Sequence, residues 1–322
     1  ADEVLAKRRI EHSQDKPVPT LRQAYEAWYL PEMLEQLKEN EFSQNSYKSY
    51  ASRWKIHIEP VWGDQPVTAI KPLGIQEWLL SMTQGIAVTS LMVLRKILDK
   101  CVMLELLPAN PANAAYRMPK RSDKCDTGVY SLRELCEVLE ALRGSAAYIP
   151  AVLCGIGSCR VGESLGVKKE NIMSYEYAGM TLAVIDIERQ VSDNGQVLSK
   201  LKTPQSKRPI VIPEPWSKDI LSVDTDWLTD KGSGLPISQH RIRQVWERQL
   251  EEKGLKYIPF RNLRNSWRTI MRWELGIDSD YVEKMMGHAG KGVGEIHYDR
   301  PQWKQFADVV GDAWLQYHAE KY

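Results

Sequence analysis

Arg160, Lys202, Arg261, Arg264, His288 and Tyr298 stand in that order along the second half of the chain. Arg160 lies in Gly157-Ser158-Cys159-Arg160-Val161-Gly162-Glu163, three residues before a carboxylate. Arg261 and Arg264 fall a helical turn apart in Phe260-Arg261-Asn262-Leu263-Arg264-Asn265-Ser266-Trp267. His288 follows Gly287, and Tyr298 comes ten residues after it. Each guanidinium forks onto two oxygens, so paired arginines suit the charge neutralisation of a phosphodiester. A tyrosine hydroxyl is a competent covalent nucleophile when its neighbours manage its proton. Lys202, in Leu201-Lys202-Thr203-Pro204, can protonate a leaving oxygen from a turn. Lys200 and Lys207 share that segment, and spacing does not choose among the three. Singly, each residue is ordinary: a surface Arg–Glu pair, a lysine in a polar turn, a basic helix on phosphates, a histidine at a helix end, a packed tyrosine.

The elements that must position these residues are mostly helical. Thr20 caps a first helix from Leu21 to about Leu37, with Tyr25, Trp28, Tyr29 and Leu30 as apolar positions. Ser43 starts a second through His57, and Ile58-Glu59-Pro60-Val61-Trp62-Gly63-Asp64 reads as a turn. Helices over about 72–82 and 88–106 complete a bundle of four or five helices. Residues 1–19 form a charged lead-in, and the bundle spans 20–115. Residues 116–126 are basic and aperiodic, an interdomain linker that would lie along a phosphate backbone.

A second domain covers 127–300. Ser131-Leu132-Arg133-Glu134 is a capping box, and a helix over about 147–155 leads into the Arg160 turn, whose glycines at 155, 157 and 162 would let a large ligand approach. Strands follow at about 182–191, 196–201 and 208–212, with Asn194-Gly195 as the hairpin turn between the first two and Lys202 at the turn before the third. Further helices start near Ser238 and cover about 263–274, 280–286 and 302–317, with a short one carrying Tyr298. The fold class is mainly α with a small antiparallel sheet. The tail, 301–322, sets Phe306, Val310 and Trp314 on one helical face.

The 322 residues suffice for two cores, and the formal charge of +1 argues for basic patches over a uniformly basic surface. Five scattered cysteines form no CxxC pair and no disulfide framework, which suits a reducing cytoplasm. No apolar run spans a membrane, no signal peptide is visible, and no metal-ligand set or phosphate-cradling loop stands out.

Taken together, these motifs in this order resemble the tyrosine recombinases, specifically the lambda-type integrases. Residues 155–171 look like the first-arginine box, Lys202-Thr203 like the β-hairpin lysine, Asn262-Leu263-Arg264 like the second-arginine box, and Met286-Gly287-His288 through Tyr298 like the closing box. The segment from Tyr47 to Pro111 is similar to the family's core-binding domain. The resemblance implies a recombinase that integrates or excises a mobile element through a 3′-phosphotyrosine on Tyr298, without metal or nucleotide cofactor. Arg160 and Arg264 would clamp the phosphate, Glu163 orient Arg160, Lys202 act as general acid, and His288 contact the phosphate. Lys48, Arg53, Lys120, Arg121, Arg241, Arg243 and Arg268 would contact DNA. It also implies four protomers on two duplexes, each chain a clamp around DNA, accessory bending or directionality factors, a bacterial cytoplasmic location, and a C-terminal helix docked on a neighbouring copy. Where the family commonly has histidine, this chain has Arg261, which stays protonated and cannot act as a base. Many members carry an arm-site-binding domain before the bundle; none is read here. Alternative readings are a type IB topoisomerase-like enzyme and an inactive DNA-binding descendant.

Overall fold

Side-chain oxygens set the helix starts. In the computed structural model, which describes residues 18–39, 41–121, 128–230, 232–288 and 302–319, Thr20, Ser43, Ser131, Ser238 and Asp278 each accept a hydrogen bond from a first-turn backbone N–H. Such a cap contributes about 1 kcal/mol. The lead-in to residue 17, residues 122–127, and the segment 289–301 with His297 and Tyr298 lie outside the described residues. The chain divides between Cys125 and Asp126 into two units, each with its own buried core.

The described part of the first unit holds four helices. Helix α1 runs as Leu21–Ala24, a π-wide turn Tyr25–Tyr29, and Leu30–Lys38. Helix α2 repeats that design as Gln44–Arg53, a π-wide turn Trp54–Ile58, and Glu59–Trp62. The expected turn at Ile58–Asp64 is therefore helical up to Trp62, and the expectation is corrected. In both helices the widened turn ends two residues before a proline, Pro31 or Pro60. A proline lacks the N–H and crowds the preceding turn; a π-wide turn makes room and lets the helix continue. The two widened turns also meet, since Tyr25 stacks on Trp54 with ring centroids 3.9 Å apart. Helices α3 (Pro72–Leu80) and α4 (Gln84–Met103) complete the bundle. Beyond it, Gln76 bonds both the N–H and the carbonyl of Arg117, which ties the start of the basic segment to α3.

The second unit begins with α5 (Leu132–Ala141), α6 (Tyr148–Gly155) and α7 (Val161–Leu165). Strands β1 (Ile172–Tyr177), β2 (Met180–Ile187) and β5 (Arg208–Ile212) form an antiparallel sheet in the order β1-β2-β5. Strand β1 was not expected. It joins β2 through Ala178-Gly179, both at positive φ, the geometry of a tight hairpin. The strand expected at 182–191 splits: its end becomes β3 (Gln190–Val191), which pairs with β4 (Val197–Leu198) as a separate ribbon across Asn194-Gly195. Lys202 therefore lies on the connection between two sheets, not on a hairpin turn. Helices α8 (Trp216–Leu221), α9 (Gln239–Glu252), α10 (Leu263–Thr269, continued as a π-wide turn Ile270–Glu274), α11 (Ser279–Met285) and α12 (Trp303–Ala319) follow.

Helix α12 lies on the sheet of its own unit in the single chain. Phe306, Val310 and Trp314 are buried. Tyr175 of β1 donates to Asp308 at 3.0 Å, and Tyr177 to Asp312. Trp314 packs edge-on against Trp216, and its indole N–H donates to the Glu214 carbonyl at 2.8 Å. The same bolt recurs where Trp246 donates to Ile258 and Trp78 to His57, so part of the tryptophan content serves to pin element ends. Trp314→Ala should lower the unfolding free energy by about 3–5 kcal/mol, the cost of emptying a buried aromatic site. Urea unfolding followed by fluorescence checks this; an unchanged midpoint would mean that α12 does not lie on its own sheet.

Candidate active site

The turn after α6 must bring Arg160 beside the sheet. Gly157 makes that possible: a Cβ there would stand 2.6 Å from Ile212 and 2.9 Å from the Leu153 carbonyl. Gly155 and Gly162 likewise face Leu135 and the Val191 carbonyl. These glycines accommodate the protein's own packing, not a ligand as the sequence suggested. Ser158 then takes φ +67°, a left-handed conformation that is strained for a non-glycine. Its hydroxyl donates to the Met285 carbonyl at 2.8 Å.

Glu163 is the centre of the site. It is 1 % exposed. Its carboxylate accepts from the Arg160 side chain at 2.5 Å and backbone N–H at 2.8 Å, and from Arg208 at 3.1 Å, with Arg264 at 3.9 Å. Burial alone would raise its pKa, but Arg208 and Arg160 outweigh burial and hold it below the ordinary carboxylate range. Burial, with Arg208 and Arg160 alongside, lowers Arg264 to about 10, so it stays charged at neutral pH. Three guanidiniums thus surround one carboxylate. Two of the three also donate to backbone: Arg264 to the carbonyls of Ser158 and Met286, and Arg208 to those of Ser158, Ser206 and Met285.

His288 closes the cluster. Gly287, at φ +66°, turns the chain there; a Cβ would lie 2.7 Å from the Gln205 carbonyl and 2.9 Å from Arg208. The His288 Nε2 lies 3.4 Å from Arg264, and its Nδ1 lies 2.6 Å from Glu283. Lys202 is exposed beside Thr203, whose hydroxyl meets that of Ser206, itself bonded to Arg160 at 3.0 Å. Of its rivals, Lys207 pairs with Glu188 at 3.3 Å.

Comparison with protein-family models finds no match, and comparison with curated protein sequences finds none. Solved structures do match. The Tn1549 transposon integrase in complex with a circular intermediate DNA superposes with TM-score 0.66 at 13 % identity, covering 94 % of this chain and 99 % of that one. The lambda integrase dimer bound to a COC′ core site gives 0.60 at 15 % identity, over 88 % and 99 % of the two chains. The lambda integrase tetramer bound to a Holliday junction gives 0.59 at 15 %, over 88 % and 80 %. This chain has the integrase fold.

On that integrase fold, Arg160, Glu163, Arg264 and His288 come together, and Lys202 lies on a loop stitched to Arg160. Arg261 is exposed on the turn Phe260–Asn262 and enters no ion pair among the described residues. Of the residues assigned to DNA contact, Lys48, Lys120, Arg121 and Arg241 are exposed, and Arg53 is half-buried. Arg243 is paired with Asp193 at 2.8 Å. Arg268 is held by Glu283, its Nε at 2.8 Å. Sequence reasoning missed Arg208, Ser206 and Glu283. Arg208 carried a signal: it shares a strand face with Ile210 and Ile212, and a cation on a buried face needs a partner.

Because the Glu163 pKa is depressed in the fold, its stabilisation is complete above the unfolded value, about 4.3, and is lost as pH falls through the folded value. Glu163→Gln should therefore be less stable than wild type at neutral pH and show a shallower loss of stability below about pH 4. Urea midpoints across pH test this; parallel curves would remove the carboxylate from that role.

Proposed function

We propose that the chain is a tyrosine recombinase that cleaves and rejoins double-stranded DNA for the integration or excision of a mobile element. The observation that carries this reading is the buried cluster in an integrase fold, in which Arg160, Arg208 and Arg264 outnumber the single carboxylate Glu163. Such an excess of fixed cations suits a dianionic transition state, and preorganised charge is the largest catalytic term in most phosphoryl transfers. Tyr298 attacks the scissile phosphorus, and a 3′-phosphotyrosine forms as the 5′-oxygen leaves. Arg160 and Arg264 bind the non-bridging oxygens, and Lys202 protonates the leaving oxygen. The partner strand's 5′-hydroxyl then reverses the step without ATP. Arg261, which stays charged and carries only donors, holds a phosphate oxygen and takes no proton.

The fold's relatives were solved on DNA, and lambda integrase as a tetramer on a Holliday junction. That supports DNA as the partner here and four copies on two duplexes as the working assembly, with accessory bending or directionality factors beside them. Residues 20–115 form the core-binding domain on this reading, with Lys48 and Arg53 toward the duplex. Lys120 and Arg121 follow the phosphate backbone, and Arg241 and Arg243 lie along a groove. Among the described residues no helix is long and apolar enough to cross a membrane; the protein works on DNA, in a bacterial cytoplasm.

A nicked suicide substrate tests the chemistry. Wild type should form a covalent protein–DNA adduct on a denaturing gel, and Tyr298→Phe should bind the same DNA and form none. Arg160→Ala and Arg264→Ala should each slow adduct formation by roughly a hundredfold or more. A persistent adduct in the phenylalanine variant would strip Tyr298 of its role.

Lys202→Ala should regain activity on a substrate whose scissile 5′-oxygen is replaced by sulfur, since a thiolate leaves without a proton. Recovery of a Lys200 or Lys207 variant instead would move the general acid to that residue.

A further inference from the structure

The site has a proton to place, and Arg261 cannot take it. Among the residues of the cluster described above, His288 offers the one imidazole. Its two nitrogens have different partners. Nδ1 lies 2.6 Å from the Glu283 Oε2, and Nε2 lies 3.4 Å from the Arg264 guanidinium. Burial alone would raise the Glu283 pKa, yet hydrogen bonds from His288 and Arg268 hold it below the ordinary carboxylate range. Glu283 is therefore an ionised, acceptor-only group, and Nδ1 must carry the hydrogen. That leaves the Nε2 lone pair facing the site. Arg268 grips the other Glu283 oxygen, Oε1, with its Nε at 2.8 Å, so the carboxylate is fixed from behind. Both Glu283 and His288 hang on the end of α11, where the His288 N–H also bonds the Glu283 carbonyl at 3.1 Å.

We propose that Glu283 is a positioning residue that, with Arg268 behind it, locks His288 in the Nδ1–H tautomer, and that His288 Nε2 accepts the proton of the attacking hydroxyl. The proposal rests on the strand-cleavage reading above. In the step, the Tyr298 O–H bond breaks and its proton passes to Nε2. The phenolic oxygen bonds to phosphorus, the bond from phosphorus to the 5′-oxygen breaks, and that oxygen takes a proton from Lys202. The imidazolium so formed stays bonded to the Glu283 carboxylate. Before substrate arrives, the Arg264 guanidinium occupies the Nε2 lone pair. A phosphate oxygen is a stronger acceptor than an imidazole nitrogen, so bound DNA draws that N–H away and frees Nε2 at the moment it is needed.

Glu283→Gln keeps the shape but removes the charge and the acceptor-only character. It should slow adduct formation on the suicide substrate by about tenfold to a hundredfold, within the range general bases supply, with DNA affinity unchanged. In a His288→Ala background the same substitution should cost nothing further. Replacing Tyr298 with a fluorinated tyrosine that is already ionised at the assay pH makes a proton acceptor dispensable, so the Glu283→Gln defect should largely vanish. Nitrogen-15 spectra of labelled histidine should give the Nδ1–H tautomer for His288 in wild type and lose it in Glu283→Ala. A Glu283→Gln defect that persists with the ionised nucleophile, or losses that multiply with those of His288→Ala, would overturn the proposal. If wild type forms no adduct, the cleavage reading itself falls; if wild type cleaves and Glu283→Gln matches its rate, only the tautomer lock falls.

Discussion

Removing a carboxylate from water costs several kcal/mol unless cations and donors surround it, and Glu163 is 1 % exposed. The second unit is arranged to meet that demand. Arg160 comes from the turn before α7, Arg208 from the first position of β5, and Arg264 from the first turn of α10. A helix, a strand and a second helix are therefore held in register by one side chain. The converse also holds. Three guanidiniums in one buried cluster repel each other, and burial first, with Arg208 and Arg160 after it, lowers Arg264 to about 10. Glu163 relieves part of it. Carbonyls of Ser158, Ser206, Met285 and Met286 take up the N–H groups that the carboxylate cannot reach. They neutralise no whole charge, so the cluster keeps an excess of cation.

Those carbonyls point inward only because the backbone turns sharply beside them. Ser158 and Gly287 both adopt positive φ, and they sit on the two chain reversals that flank the cluster. Gly287 has no tolerable alternative, with Arg208 and the Gln205 carbonyl against its missing side chain. Ser158 is a different case. A left-handed non-glycine residue costs on the order of 1 kcal/mol or more, and its buried hydroxyl recovers part of that by bonding Met285. Its own carbonyl then serves both Arg208 and Arg264. Backbone strain and guanidinium position are one feature here, and neither survives without the other.

Local signals in the sequence were legible and non-local ones were not. The caps at Thr20, Ser43, Ser131 and Ser238 announce themselves because donor and acceptor lie within a few residues. Asn194-Gly195 marks its turn for the same reason. Pro60 misled because a proline usually ends a helix, and only the widened turn ahead of it lets α2 continue. Strand β1 escaped notice as a sheet edge whose Met173 and Ser174 are both exposed, which blurs the alternation. Arg160, Glu163, Arg264 and His288 could be picked out by order and spacing. Arg208 showed only its place on an apolar strand face, since its partners Ser158, Glu163 and Met285 are distant in sequence. Glu283 was missed, because its tie to His288 depends on how the chain turns at Gly287. The apolar stripe of α12 was visible as a stripe, but a stripe does not name its partner; the hydroxyls of Tyr175 and Tyr177 do.

The near-neutral composition, 43 basic against 42 acidic residues, also takes on meaning once the cluster is in view. A polyanion can be held by a broad basic surface or by few cations in a low-dielectric setting. The first is weakened strongly by salt, because exposed charges are screened beyond about 8–10 Å. The second is screened far less. This chain pairs many of its surface cations internally: Arg243 with Asp193, Arg268 with Glu283, Lys304 with Asp308. Arg160, Arg208 and Arg264 share a single carboxylate instead. Arg264 also stands in the first turn of α10, where the helix dipole is positive and no acid is present, and Arg261 lies on the turn just before it. Every local rule makes that arrangement unfavourable in the absence of an anion. On the proposed reading the scissile phosphate is what resolves it, so the charge that the rest of the surface balances away is concentrated where the bond is to be broken.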